Sequence, residues 1–148
     1  MSVVKSAAAE REPIRWIYPL VGGIIAEALT IAFSALVVAM TGHGGAGPHG
    51  EPIDSVAQRI GALTEATLGS LLCFLLGWWA ARRADGRFES HGLLTGVAAG
   101  SLMLFGAVFG PPGQAAYYVV ALLMKCFAGR AGGRMAAKMA GTERGTAP

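Results

Sequence analysis

The stretch WIYPLVGGIIAEALTIAFSALVVAM, residues 16–40, contains 25 residues, and Glu27 is its single charged side chain. A helix rises about 1.5 Å per residue, so a helix of this length can cross a hydrocarbon core of about 30 Å. The stretch is also longer than the apolar region of a cleaved signal peptide, which is about 7–15 residues, and it lacks an A-x-A-like end. We therefore predict a retained transmembrane helix.

Three further apolar runs follow, at residues 60–81, 92–109 and 115–129, and the last of them is interrupted by Lys125. Over all 148 residues the hydrophobic fraction is 53% and the charged fraction is 14%. A soluble domain is about 25% charged. The mean hydropathy is +0.51. The composition predicts one domain and an all-α membrane protein with four transmembrane helices.

The expected organisation follows from these runs. We predict a mobile segment over residues 1–14, a transmembrane domain over 15–130 with helices at about 16–40, 59–81, 92–109 and 114–130, and a basic cytoplasmic tail over 131–148. The connection GPPGQ, residues 110–114, is short enough to make helices 3 and 4 an antiparallel hairpin. The predicted fold is an antiparallel bundle.

Basic residues precede helix 1, fill the second connection and follow helix 4. They are Lys5, Arg11, Arg15, Arg82, Arg83, Arg87, Arg130, Arg134, Lys138 and Arg144. The first connection has only Arg59, at its far end, and the third has none. Because cationic loops stay on the cytoplasmic side, both termini are predicted to be cytoplasmic. The lipid bilayer, rather than a nucleic acid, accounts for the basic residues.

Small residues recur every four positions within the predicted helices. The glycines of this pattern are Gly61, Gly69 and Gly77 in helix 2, and Gly92, Gly96 and Gly100 in helix 3. In lipid there is no hydrophobic force between helices, so close backbone approach has to hold them together. The pattern predicts tight helix packing, and it leaves open a homo-oligomer or a membrane-protein partner.

Three ionisable residues, Glu27, Glu65 and Lys125, lie inside the predicted spans. Glu27 lies roughly 16 Å from the inner boundary and Lys125 roughly 16 Å from the outer one, so their depths nearly coincide. An unpaired charge at this depth costs about 2.5–3.5 kcal/mol. We predict an intramembrane ion pair between Glu27 and Lys125, and a structural role for Glu65 with Arg59 as its partner.

Other roles for these residues remain open. Glu27 can be protonated and hydrogen-bonded to a neighbour, because burial disfavours the charged carboxylate. Lys125 can extend toward the inner headgroups. A carboxyl group at the membrane midplane can also bind a proton or a cation during transport.

No catalytic motif is recognisable, because the chain has no HExxH, no Walker loop and no nucleophile–His–acid set. The metal-capable side chains of the first connection are His43, His49, Glu51 and Asp54, and their spacing matches no known ligand pattern. Cys73 and Cys126 are interpreted as packing residues. The sequence therefore predicts no enzymatic activity, no metal site and no cofactor.

The segment LLGWWAARRADGRFESHGLLTG, residues 75–96, resembles a group of small bacterial four-helix membrane proteins of uncharacterised function. The matching positions are Gly77, Ala80, Ala81, Arg82, Ala84, His91, Gly92, Leu93 and Gly96. The resemblance implies a bacterial cytoplasmic membrane and no particular activity. In addition, WIYPLVGGIIAEALT, residues 16–30, is similar to the first helix of small multidrug resistance transporters, which implies proton exchange at Glu27. The later helices do not follow that second family's pattern.

Two hypotheses for function follow. The first is a non-enzymatic protein of the inner membrane that acts by helix packing and assembly, against itself or as a partner subunit. The second is a small proton- or cation-coupled transporter or channel that uses Glu27 together with Glu65 or Lys125.

Overall fold

The computed structural model describes residues 15–41, 53–84, 87–109 and 115–145, and within these ranges the chain forms four helices and no strand. Helix α1 spans Ile17–Thr41, α2 runs from Ile53 to Arg82, α3 spans Phe88–Phe109 and α4 spans Ala115–Gly145. The predicted all-helical class is confirmed. The predicted mobile segment 1–14 and the connection 110–114 lie outside the described residues.

Three helices extend beyond their predicted bounds. Helix α2 begins at Ile53 rather than at about 59, and α3 begins at Phe88 rather than at 92. Helix α4 continues to Gly145, so residues 131–145 of the predicted basic tail prolong the helix. Nine of these 15 residues are Ala, Arg, Lys or Met, which are strong helix formers and outnumber the four glycines, so the helix does not end where the apolar run ends.

Helix α2 changes its winding in the middle. Its sections Ile53–Thr64 and Ser70–Arg82 are α-helical, and Glu65–Gly69 between them is π-helical. The hydroxyl of Thr67 donates a hydrogen bond to the Leu63 carbonyl at 2.6 Å within this region. Because a π turn accommodates an extra residue, it changes the face of the helix on which the neighbouring side chains lie.

Contacts between the helix ends define how the four helices are arranged. At one end the rings of Tyr18 and Trp79 meet edge to face, with 6.1 Å between their centroids, and Gly133 faces the Phe88 carbonyl. Consecutive helices therefore run in opposite directions. Helices α1 and α4 each pack against α2 and α3. The end that holds the start of α1 and α3 and the end of α2 is called the basic end below.

Glycines bring α4 to backbone distance from two helices. A side chain added at Gly92 or Gly96 of α3 would meet the α4 backbone, and one added at Gly77 of α2 would meet Gly129. Gly100 faces the side chain of Leu122. Large side chains on these helices therefore lie away from the glycine contacts.

The side chains that the helices bury are small or polar, and large apolar side chains point outward. The largest fully buried side chains are Lys125, His91, Thr30, Thr95, Pro19 and Cys73. Large apolar side chains are exposed on all four helices, among them Leu36, Leu71, Leu102 and Phe127. A chain that folds in water buries such side chains preferentially, so this distribution is the reverse of a water-soluble core.

Two helical segments of the described chain are long and apolar enough to cross a membrane, Ile17–Met40 and Arg59–Arg82. Only 28% and 22% of their most apolar windows are buried by the rest of the protein, whereas the core helix of a soluble protein is mostly buried. These features are consistent with membrane association.

His91 joins three elements at the basic end. Its buried Nε2 accepts a hydrogen bond from the Arg15 backbone N–H at 3.2 Å, and its Nδ1 lies 3.0 Å from the Arg87 carbonyl. Because Nε2 is an acceptor, the ring is the neutral tautomer whose Nδ1–H donates to Arg87. Arg87 has a positive φ of 45°, which is uncommon for a residue other than glycine. His91 thus links the strained turn at Arg87 to the backbone of Arg15, just before α1.

Replacing His91 with Phe should lower the free energy of unfolding by about 1–3 kcal/mol, because both hydrogen bonds are lost while the ring volume is retained. Thermal unfolding in detergent, followed by circular dichroism, measures the change. Ser101→Ala is the control, since the Ser101 hydroxyl donates only to the Val97 carbonyl of its own helix at an exposed position. Equal stability of His91→Phe and the wild type would contradict the role of His91.

Candidate functional site

Lys125 is the centre of a cluster of charged side chains buried between the helices. Its side chain is 1% exposed, and its Nζ lies 2.5 Å from Glu27 Oε2 and 2.5 Å from Glu65 Oε2. The contact between Glu27 on α1 and Lys125 on α4, predicted from the depths of the two residues, is present. The three side chains are called the central cluster below.

Glu65 has an ion-pair partner that the sequence analysis, which offered Arg59 as its partner, did not name. The structure gives it Lys125 as an ion-pair partner. Glu65 is the first residue of the π turn, and that turn alters the face on which the side chain lies relative to a regular α-helix. A helical wheel with 3.6 residues per turn therefore does not place this side chain correctly relative to Lys125.

Each of the four helices contributes to the surroundings of Lys125. A Cβ at Gly69 of α2 would lie 3.2 Å from Glu65 Oε2 and 3.2 Å from Lys125 Cε, so the glycine leaves room for both side chains. Met103 of α3 places its Sδ 3.8 Å from Lys125 Nζ. The Thr30 hydroxyl donates to the Ala26 carbonyl at 2.8 Å and is engaged within α1.

The charges of the central cluster do not balance. Two carboxylates and one ammonium have a formal net charge of −1, and a buried net charge is costly. Lys125 Nζ donates a hydrogen bond to Glu27 Oε2, whereas the buried Oε2 of Glu65 is at ion-pair distance without a hydrogen bond of standard geometry. A proton on one carboxyl group would neutralise the cluster and supply an O–H donor.

The two free thiols form no metal site with the other described residues. Cys73 is buried, Cys126 is half-buried, and both are free thiols. Among the described residues there is no group of three or more His, Cys, Asp or Glu side chains that could hold a metal ion. His43, His49 and Glu51 lie outside the described residues.

A second charged cluster, which the sequence analysis missed, lies at the basic end. Arg130 Nε donates to Glu89 Oε2 at 3.0 Å, and Arg134 Nε lies 3.3 Å from Glu89 Oε1. The hydrogen bond from Arg130, with a further contribution from Arg134, holds the pKa of the exposed Glu89 carboxyl below its ordinary value. The four-residue spacing of the two arginines was visible in the sequence, but their shared carboxylate on α3 was not.

This pKa shift predicts how Glu89 affects stability as the pH changes. A carboxyl group whose pKa is lowered by folding stabilises the fold above its unfolded-state pKa, and the effect is lost as the pH falls through the folded-state pKa. Glu89→Gln should therefore slightly lower the thermal midpoint at neutral pH. The difference from the wild type should vanish at a pH below the carboxyl range. A difference that persists in acid would contradict this account.

Comparison of the chain with protein-family models, curated proteins and solved structures gives no match. The resemblance of residues 75–96 to small bacterial membrane proteins therefore stays a prediction from the sequence.

Proposed function

We propose that the chain is a four-span protein of the bacterial cytoplasmic membrane with both termini on the cytoplasmic side, and that its central cluster exchanges a proton during transport. The observation that supports transport most is the pair of carboxyl groups, Glu27 and Glu65, around the single ammonium of Lys125. Ionisable residues at membrane depth are expensive and commonly mark ion or proton pathways.

The distribution of side chains supports the four-span arrangement. Large apolar residues face outward on α3 and α4 as well as on α1 and α2, so all four helices suit contact with lipid. At the basic end the guanidinium of Arg82 lies 5.4 Å from the Trp78 ring centroid, and that of Arg83 lies 5.8 Å from the Trp79 ring centroid. Trp beside Arg is typical of the cytoplasmic membrane interface.

The central cluster suits the exchange of a proton with a cation. With one proton bound it is neutral, and after release of the proton its charge of −1 can accept a monovalent cation. The side chain of Glu65 is 13% exposed, against 5% for Glu27 and 1% for Lys125, so Glu65 is the most accessible residue of the central cluster. We assign Glu65 as the residue that the proton reaches first and Glu27 as the residue that shares this proton with it. Lys125 supplies a fixed positive charge.

Flux measurements in proteoliposomes test the transport proposal. A pH gradient is imposed with sodium or potassium on the opposite side, and a trapped pH-sensitive dye reports its decay. The wild type should dissipate the gradient faster than empty liposomes, whereas Glu27→Gln and Glu65→Gln should not. Glu89→Gln is the matched control, because it removes an exposed carboxylate outside the central cluster. Wild-type decay no faster than that of empty liposomes would contradict transport.

Thiol labelling tests the threading through the membrane. In a cysteine-free background, Gly113→Cys should react with a membrane-impermeant reagent in intact cells. Thr146→Cys should react only after the inner membrane is opened. The opposite pattern would reverse the proposed orientation.

Assembly with a second copy or a partner is the second candidate, and Gly61 favours it. No atom of the described chain lies within 4 Å of a Cβ placed at Gly61, so this glycine takes no part in the close contacts of the other helices. An uncovered small residue lets another helix approach closely. Gly61→Leu should abolish a cross-linked dimer without unfolding the chain. Absence of any cross-linked species in the wild type would remove this candidate.

A further inference from the structure

We propose that the arginine pair bridged by Glu89 at the basic end binds the phosphate of an anionic phospholipid headgroup. The inference rests on the proposed membrane embedding and is independent of the central cluster.

Glu89 holds the two guanidinium groups side by side. Arg130 and Arg134 each approach a different oxygen of Glu89 through Nε, at 3.0 and 3.3 Å. Both contacts are made through Nε, and Glu89 is the ion-pair partner that the described residues give to each arginine. The arrangement therefore has a formal net charge of +1 and a row of N–H donors available to an anion. Arginine donors of this kind match the geometry of phosphate oxygens.

The arginine pair is accessible and lies at a suitable depth. The side chains of Arg130 and Arg134 are 47% and 57% exposed, so a ligand can reach both. Gly132, between them in the chain, faces the Trp78 backbone. Because Trp residues prefer the membrane interface, the two guanidinium groups lie at the level of the lipid headgroups.

Apolar side chains continue from the arginine pair toward the membrane interior. Leu93 follows Glu89 by one turn on α3 and is 38% exposed, and Phe127 precedes Arg130 by one turn on α4 and is 70% exposed. Residues three or four apart share a helix face. A headgroup bound to the arginines would therefore have its acyl chains beside Leu93 and Phe127. This combination of phosphate donors with an apolar surface fits a phospholipid and not a free phosphate ion.

Native mass spectrometry of the full chain in detergent tests this inference with equal amounts of phosphatidylglycerol and phosphatidylcholine. The wild type should retain phosphatidylglycerol preferentially. Arg134→Gln should reduce this binding about tenfold, the equivalent of about 1.4 kcal/mol, because a charge-assisted hydrogen bond to the phosphate is lost. Lys138→Gln is the matched control, since it removes the same charge one turn further along α4, outside the Glu89 contacts, and should change binding less than twofold.

Several results would overturn the inference. Equal losses for Arg134→Gln and Lys138→Gln would indicate attraction by overall charge without a site. Equal retention of the two lipids by the folded wild type, or displacement of phosphatidylglycerol by inorganic phosphate, would also contradict a lipid site. A wild-type chain that stays soluble without detergent would instead contradict the membrane proposal.

Discussion

Lys125→Met should lower the free energy of unfolding by about 3–5 kcal/mol, which is the cost of removing one partner from a buried charge cluster. The substitution keeps an unbranched chain of similar length but leaves Glu27 and Glu65 without the ammonium that lies between them. Two buried carboxyl groups that share one site cannot both stay ionised without that ammonium. Circular dichroism during thermal unfolding in detergent micelles measures the loss.

Glu65→Gln is the control for this prediction. It retains the hydrogen-bonded pair of Lys125 and Glu27 and removes the second carboxyl group, so the cluster is neutral without a bound proton. We expect its stability to stay within about 1 kcal/mol of the wild type, the typical range of a single substitution. Equal destabilisation by Lys125→Met and Glu65→Gln would contradict the proposed charge imbalance.

Gly96→Ala should destabilise the protein by about 3 kcal/mol or more, the upper range of the cost of overpacking. A methyl group at this position would overlap the backbone of Lys125 and Cys126 on α4. Backbone atoms cannot rotate away as a flexible side chain can, so the two helices have to separate. The yield of folded protein and its unfolding midpoint both report this change, and the displacement of Lys125 should also reduce proton flux.

Gly61→Ala provides the comparison. No described atom would meet its methyl group, and alanine is favoured over glycine in a helix by about 1 kcal/mol. Its stability should equal or slightly exceed that of the wild type. Similar destabilisation of both alanine variants would contradict the close contact between α3 and α4.

The sequence predicted the helical class because apolar runs of this length rarely form any other structure. It also predicted the contact between Glu27 and Lys125, since depth along two straight helices needs only the rise per residue. The ends of the helices were less predictable. The end of α4 depends on helix propensity beyond the apolar run, and that propensity carries the helix on to Gly145.

The contacts that the sequence did not predict depend on details of winding and rotation. Glu65 reaches Lys125 from the start of a π turn, and no residue type in the segment indicates that turn. Glu89 meets Arg130 and Arg134 because the glycines of α3 and α4 bring the two helices together at this level. Such contacts depend on how far each helix is rotated about its own axis. Hydrophobic periodicity does not determine this rotation well when the outer faces of the helices are also apolar.

The central claim is that the central cluster holds one exchangeable proton. NMR of chains with isotopically labelled Glu side chains, in lipid nanodiscs, observes the carboxyl groups directly. From the charge balance of two carboxyl groups and one ammonium, we predict that the central cluster as a whole holds one exchangeable proton and that Glu65→Gln abolishes the exchange. Carboxyl resonances that stay fully ionised from neutral pH down through the acidic range would contradict the claim, because the central cluster would then keep a fixed charge of −1.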